Sequence, residues 1–233
     1  MFLAVAWSVL CSFSAMVTFP FSEKWGTLTH QTWGRGLIAL LGINLKIQGI
    51  ENLPKGGVVA PNHESMFDMF VLACLPIHYR WISKESIGRI PVIGWAMRSM
   101  GCFFVRRDRT AHDLNVMREV ERALREGATV VIFPEGTRSR TGELLPFKKG
   151  AFRTALNAGV PLIPMAISGT RNIAPPGRLP AHRGHGVTLT IGPALCPPPG
   201  TPLETMMGDY RRLMETMLRQ NPPQKSQESQ PTL

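Results

Sequence analysis

Tyrosine occurs only twice in 233 residues, cysteine four times, and no charged side chain precedes Glu23. The cysteines (Cys11, Cys74, Cys102 and Cys196) lie far apart and form no C-x-x-C pair. That excludes a zinc ribbon or a disulfide framework and fits a reducing compartment. Neither G-x-x-x-x-G-K-[ST] nor G-x-G-x-x-G is present, so the two commonest nucleotide-binding loops are absent. No His/Cys/acid spacing suits a metal, and no cofactor motif is seen. Charged residues make up only 18% of the chain, but Lys and Arg number 26 against 16 Asp and Glu, a formal charge of +10. Such an excess calls for an anionic partner. The basic residues are scattered and few aromatics interleave with them, which disfavours nucleic acid and leaves a membrane surface or a phosphorylated substrate.

The uncharged start, residues 1–22, is mostly Phe, Leu, Val, Ala, Met and Trp, diluted by Ser8, Ser12, Ser14 and Thr18. At a rise of ~1.5 Å per residue, about 19 residues roughly match the hydrocarbon core of a bilayer. A signal peptide lacks support, because no Lys or Arg precedes the run and no A-x-A site closes it. A spanning helix and a helix dipping into one leaflet both remain. Residues 27–43 form a second apolar segment, with Trp33 and Arg35 near its start, residue types that suit the headgroup level. Together the two segments read as a membrane-docking hairpin over residues 1–43; an ordinary core helix is the plain alternative for the second.

From residue 44 the texture changes. Short apolar runs begin at Leu45, Val58, Tyr79, Cys102, Thr129, Leu162 and Val187, and helical patterns separate some of them. In the helix predicted from Thr110 to Arg125, Thr110 caps, Leu114, Met117, Val120 and Leu124 line one face, and Gly127 stops it. Thr201-Pro202-Leu203-Glu204 reads as a capping box opening a helix to residue 218, with Leu203, Met206, Tyr210, Leu213 and Met217 as its stripe. The alternation argues for an α/β domain over residues 44–220, a mostly parallel or mixed sheet covered by helices. Residues 175–186 read as a loop and 221–233 as a disordered tail.

Three strand ends carry chemistry. In NHESMFD, residues 62–68, an apolar run gives way to a helix at His63, the usual place for a reactive group in an α/β protein. On a straight helix His63 and Asp68 would point apart. With His63 in the turn before the helix, its ring can fold back and meet Asp68, which would fix the tautomer and free the other nitrogen to take a proton. The plain alternative is a capping histidine beside a solvated aspartate. In VVIFPEGTRSRTGELLPFKKGAF, residues 130–152, Glu135, Gly136, Thr137 and Arg138 follow a strand. Gly136 permits close backbone approach, and neighbouring N–H groups could face an anion or an oxyanion. Arg138 offers a fork for phosphate, and Lys148 and Lys149 precede a helix start. GCFFVRRD delivers Arg106 and Arg107 at a third strand end, and VPLIPMAI places Pro161 and Pro164 in an apolar strand, which predicts a bulged or edge strand.

These blocks resemble those of the glycerolipid acyltransferases: NHESMFD their NHxxxxD box, GCFFVRR their GxxFxxR block (Gly101, Phe104, Arg107), FPEGTRS their third and VPLIPMAI their fourth. All four occur in the family's order between residues 62 and about 167. With FKKGAF after the third block and the uncharged N-terminal segments, the chain looks most like the 1-acyl-sn-glycerol-3-phosphate acyltransferases. The resemblance implies acyl transfer from an acyl-CoA or acyl-carrier protein co-substrate to a lysolipid hydroxyl at a membrane, with the site on the cytoplasmic side. It casts His63 and Asp68 as catalytic. It casts Arg107, Arg138 and one of Lys148 or Lys149 as phosphate ligands, with Glu135 holding a glycerol hydroxyl or shaping its turn. A thioester is already activated, so no acyl-enzyme or metal is required; a neutral imidazole that accepts the alcohol's proton suffices. A different acceptor, such as glycerol 3-phosphate or a lyso-aminolipid, and a non-catalytic lipid-binding protein on the same fold are the rival readings.

Overall fold

In the computed structural model, which describes residues 2–106, 108, 110–175, 186–198 and 200–222, the apolar runs become strands. They are β1 (Asn44–Gln48), β2 (Gly57–Pro61), β3 (Arg80–Lys84), β4 (Phe103–Val105), β5 (Thr129–Val131), β6 (Leu162–Ser168) and β7 (Gly186–Ile191). They form one seven-stranded sheet in the order β1-β7-β6-β2-β5-β3-β4. β2, β3, β4, β5 and β6 are parallel; β7 pairs antiparallel with β6 and parallel with β1, so the sheet is mixed. Because β2, β3, β4 and β5 run one way, their C-terminal ends share one edge.

The central strands are buried on both faces, which is why they read as unbroken apolar runs rather than as alternations. Val59, Val131, Ile163 and Ile167 point into one core layer; Val58, Ala60, Val130 and Leu162 point into the other. The second layer is closed by α6 (Ala111–Arg125), α7 (Lys149–Ala158) and α9 (Leu203–Gln220). Tyr210 from α9 reaches through it to donate to the Ala60 carbonyl. Each fully buried Val, Leu or Ile contributes roughly 1.5–3 kcal/mol of transfer free energy.

The first layer is closed by α1 (Phe2–Phe21), α2 (Glu23–Leu40), α3 (Asp68–Ala73) and α5 (Ile93–Ser99); α4 (Glu85–Gly88) and α8 (Thr170–Ile173) are single turns. α1 and α2 form an antiparallel pair. Trp7 Nε1 donates to the Trp33 carbonyl at 3.2 Å and Trp33 Nε1 to Ser8 Oγ at 3.0 Å. α2 then presses onto α3 at Gly34, where an added Cβ would stand 2.8 Å from Ala73 Cβ. Trp33 therefore lies in the seam between α1, α2 and α3, edge-on to Phe70, not at an outer surface. Leu3–Phe21 is long and apolar enough, by length and composition, to cross a membrane, and exposes Leu3, Leu10, Phe13 and Val17.

Three expectations need correction, and one resolves between its alternatives. Of the bulged or edge strand expected, β6 is the bulged one, an interior strand flanked by β7 and β2. Its prolines are tolerated because Pro161 precedes the strand and Pro164 falls where the pairing is offset. Leu162 bridges Leu195 while Met165 pairs Ile191, so three steps on β6 face four on its neighbour. On α6, the buried stripe is Val116, Val120, Ala123 and Leu124, while Leu114 is exposed because it lies on the opposite side of the helix. Thr110 stands at the N-cap of α6, but its hydroxyl goes to Asp108. α9 is capped by Pro202, and Thr201 Oγ1 bonds the Pro198 carbonyl instead of closing a capping box. The loop expected at 175–186 and the tail expected at 221–233 fall mostly outside the described residues.

Candidate active site

β2 and β5 are adjacent and parallel, so the turns that leave them meet at one edge. After β2, residues 62–67 fold into a loop and α3 starts at Asp68. The His63 ring folds back over this start, and its Nδ1 lies 2.7 Å from Asp68 Oδ2. The other face of the pair is shielded by Phe133, stacked on the imidazole at 4.0 Å between centroids. Nε2 has no partner among the described residues, and the His63 side chain is partly exposed. Asp68 is fully buried. Its Oδ2 also accepts the N–H groups of Glu64 (2.8 Å) and Ser65 (2.9 Å), and its Oδ1 accepts the Thr170 hydroxyl. Four donors around one carboxylate leave it a single orientation, with one lobe aimed at His63.

Sequence reasoning missed the far side of this arrangement. Asn62 exchanges two hydrogen bonds with the Ile167 backbone, donating at 2.9 Å and accepting at 2.7 Å, as a strand neighbour would. Ser65 Oγ donates to the Ala174 carbonyl at 2.7 Å. Thr170 supports Asp68 from the turn after β6. Glu64 is buried against the backbone N–H groups of Gly169 and Arg171; burial, and then the Asp68 charge, push its carboxyl pKa up to about 8. The segment after β6 is thus the bed on which the 62–68 loop lies. Only the polarity of Ser168-Gly169-Thr170 at the end of an apolar strand could have signalled it.

The turn after β5 holds the same loop from the other side. Glu135, 2% exposed, accepts the His63 N–H on Oε1 at 2.8 Å and the Leu145 N–H on Oε2 at 2.9 Å. Both oxygens are thereby engaged in shaping the turn, the second of the two roles expected of it. Burial raises its carboxyl pKa; the two N–H bonds oppose that. Ser139 N–H donates to the His63 carbonyl at 2.7 Å, so both backbone groups of His63 are held by this turn. Gly136 sits at φ +68°, a conformation that favours glycine, and its N–H is used by the Phe133 carbonyl, not left for an anion. An added Cβ there would stand 2.9 Å from Lys148 Nζ, so the Lys148 side chain crosses directly over the glycine.

Among the remaining basic groups, Arg138 is exposed and has no hydrogen bond or ion pair among the described residues. Thr137 is exposed beside it. Lys149 pairs with Glu204 on α9, at 2.6 Å, whereas Lys148 has no ion pair among the described residues. Arg106 pairs with Glu85 at 2.9 Å. Arg107 lies outside the described residues. No cluster of three or more metal-type ligands occurs among the described residues. A cleft of about 830 Å³ opens at the opposite edge, where β2, β3 and β5 begin; its lining includes Lys55, Arg80 and Thr129 but neither His63 nor Asp68.

This edge of a mixed α/β sheet thus carries an imidazole–carboxylate pair, with cations on the same turns that have no partner among the described residues, an arrangement suited to an enzyme that moves a proton. The chain belongs to the acyltransferase family, whose pattern it matches over residues 44–168. It is 44% identical over 134 residues to a chloroplastic 1-acyl-sn-glycerol-3-phosphate acyltransferase of Brassica napus, covering 56% of this chain and 39% of that protein. To the Arabidopsis thaliana chloroplastic enzyme of the same name it is 40% identical, covering 68% and 45%. To the Saccharomyces cerevisiae 1-acyl-sn-glycerol-3-phosphate acyltransferase it is 30% identical, covering 82% and 63%. The chain spans less than half the length of the two plant relatives. The crystal structure of the 1-acyl-sn-glycerophosphate acyltransferase PlsC from Thermotoga maritima is similar throughout. Its TM-score is 0.83 at 26% identity, covering 94% of this chain and 91% of that one.

Proposed function

We propose that this protein moves a fatty acyl group from an acyl thioester, acyl-CoA or acyl-carrier protein, to the sn-2 hydroxyl of 1-acyl-sn-glycerol 3-phosphate, giving phosphatidic acid. The observation that carries this is the His63 Nδ1–Asp68 Oδ2 contact of 2.7 Å, with Nε2 unpaired among the described residues, on a loop held through Ser139 N–H by the turn that carries Arg138 and is crossed by Lys148. The names of the relatives point to the same acceptor.

With Nδ1–H donated to Asp68, Nε2 of the neutral ring carries the lone pair. It takes the proton of the acceptor hydroxyl as the oxygen attacks the thioester carbonyl. The tetrahedral intermediate collapses by breaking the carbon–sulfur bond, and the imidazolium returns the proton to the departing thiolate. The products are an ester and a free thiol, and no group on the protein is acylated. Such a base contributes about 10²–10⁴-fold. Asp68 orients the ring and stabilises its cationic form. Arg138 and Lys148, with Arg107, bind the acceptor's phosphate, and Thr137, exposed next to Arg138, lies on the same turn. Glu135 is a positioning residue for His63 and Gly136 the pivot of its turn. The α1–α2 pair, residues 1–43, docks the 44–220 domain on the cytoplasmic side of a membrane, where the acceptor resides, and the net positive charge favours anionic lipid.

The test is release of free thiol from acyl-CoA in the presence of lysophosphatidic acid. His63→Ala is expected to lose at least 10²-fold in kcat with an unchanged circular dichroism spectrum. Undiminished turnover by that variant removes the general-base assignment, and an unmodified protein that transfers to glycerol 3-phosphate but not to lysophosphatidic acid removes the acceptor.

A further inference from the structure

Between β3 and β4 the chain makes α4 and α5 in quick succession, with the sequence ESIGRIPVIGWAMRS. Here the usual partition is inverted. Gly88, Gly94 and Ala96 are buried, while Ile87 (37%), Ile90 (44%), Ile93 (40%) and Trp95 (52%) are exposed. The display is built, not loose. A Cβ on Gly94 would stand 2.1 Å from the Gly88 carbonyl oxygen, and one on Gly88 would stand 2.7 Å from the Phe104 ring. The two turns therefore cross in backbone contact over β4. Arg98 donates to the carbonyls of Gly88 and Gly94, with its guanidinium 5.1 Å above Phe104. Val92, at φ +65° and ψ −58°, is the one non-glycine with positive φ among the described residues. A β-branched residue is held there only where its surroundings force it, and such forcing gathers at functional places.

The position of this knuckle gives the exposure a meaning. β3 and β4 run parallel to β2 and β5, so α4 starts at the same edge of the sheet as His63 and Glu135. α5 lies against α1, with Ser99 Oγ 3.4 Å from the Ala15 carbonyl. α1 itself buries Ala15 on that side and exposes Leu10, Phe13 and Val17 on its opposite side, so the knuckle sits next to a helix with an apolar outer face. The surround is basic: Lys84 is exposed, and Glu85 is shared by Arg89 (3.1 Å) and Arg106 (2.9 Å). Isoleucines and a tryptophan next to an excess of cations suit the boundary between acyl chains and anionic headgroups.

We infer that the α4–α5 knuckle is a second bilayer-contact element, which seats Ile87, Ile90, Ile93 and Trp95 in an anionic lipid surface and brings the rim of the site level with the headgroups. The inference rests on the reading above only in taking the acceptor to be a membrane lipid.

The full chain, and its Trp95→Phe variant, are reconstituted in phosphatidylcholine–phosphatidylglycerol vesicles with brominated acyl chains. The emission present in the unmodified chain and missing from the variant is expected to be blue-shifted and quenched by bromine. In parallel, the Ile90→Ser/Ile93→Ser variant is assayed on vesicle-borne lysophosphatidic acid, with about a tenfold loss expected. On a short-chain acceptor in detergent its rate is expected to equal that of the unmodified chain, which also shows that it is folded. Trp95 emission that is open to iodide and blind to bromine overturns the inference. So does an unchanged rate on vesicles, and so does a shift from dimer to monomer in the serine variant without bromine quenching, which would give the patch to a second copy of the chain. Failure of the unmodified chain to transfer any acyl group would sink the proposed function while leaving the quenching result to stand.

Discussion

Replacing Glu135 by glutamine separates a positioning role from a substrate-binding one. Both carboxylate oxygens accept buried backbone N–H groups, from His63 at 2.8 Å and Leu145 at 2.9 Å. Glutamine keeps the shape but has one oxygen and one NH₂, so one of the two N–H groups must face another donor. Losing a hydrogen bond to a charged acceptor, and leaving a buried donor unsatisfied, costs about 2–4 kcal/mol. In a chain of this size each kcal/mol lowers the thermal midpoint by about 2–4 °C, so a fall of roughly 5–15 °C is expected by calorimetry. His63 hangs from this turn through its own N–H and carbonyl, and displacement of a base by even about 1 Å costs up to ~10²-fold. The loss is expected in kcat, with KM for lysophosphatidic acid nearly unchanged because Arg138 and Lys148 are untouched. A Glu135→Gln protein that melts at the original temperature and shows only a raised KM would refute the reasoning and put the carboxylate on the substrate.

Arg138→Ala should leave stability within ~0.5 kcal/mol, since the side chain is exposed and unpaired among the described residues. It should raise KM roughly 10–100-fold for a phosphate-bearing acceptor and not for a neutral one; equal effects on both would remove its phosphate role. Thr170→Val takes the donor from Asp68 Oδ1 and is expected to lower kcat, with Thr170→Ser restoring it; an unaffected pH–rate profile and kcat in the valine variant would dismiss that contact. Glu64 has its pKa raised from 4.5 to about 8, so the folded state holds a proton that the unfolded chain has lost between those values. Stability therefore falls as pH rises through that window. Glu64→Gln removes this dependence and should gain on the unmodified protein by a few kcal/mol, in order of magnitude, between about pH 5 and pH 8.5 in urea titrations. A constant gap across that range would show that the carboxyl is not protonated in the fold.

The amino-acid order alone determined what is local. Seven apolar runs of strand length, a histidine at the end of one of them and an acid five residues on all lie within single stretches of chain. So does the Glu-Gly-Thr-Arg turn that follows another run. Periodicity and turn chemistry report such features because they depend on neighbours a few residues away. What it left undecided depends on which strand lies beside which. The double proline of β6 left a bulged strand and an edge strand both open, and only the fold shows that the strand is interior and takes up the missing N–H through a one-residue offset against its neighbour. Only once β6 is laid against β2 do Asn62, Ser65 and Thr170 come to brace the 62–68 loop across more than a hundred residues of sequence. The placement of β5 beside β2 likewise commits Glu135 to the backbone of His63, and that of α9 beside α7 sends Lys149 to Glu204. A side chain's chemistry is written in its identity, but the partner that uses it is set by the order of the strands, and strand order leaves no periodic trace in the chain.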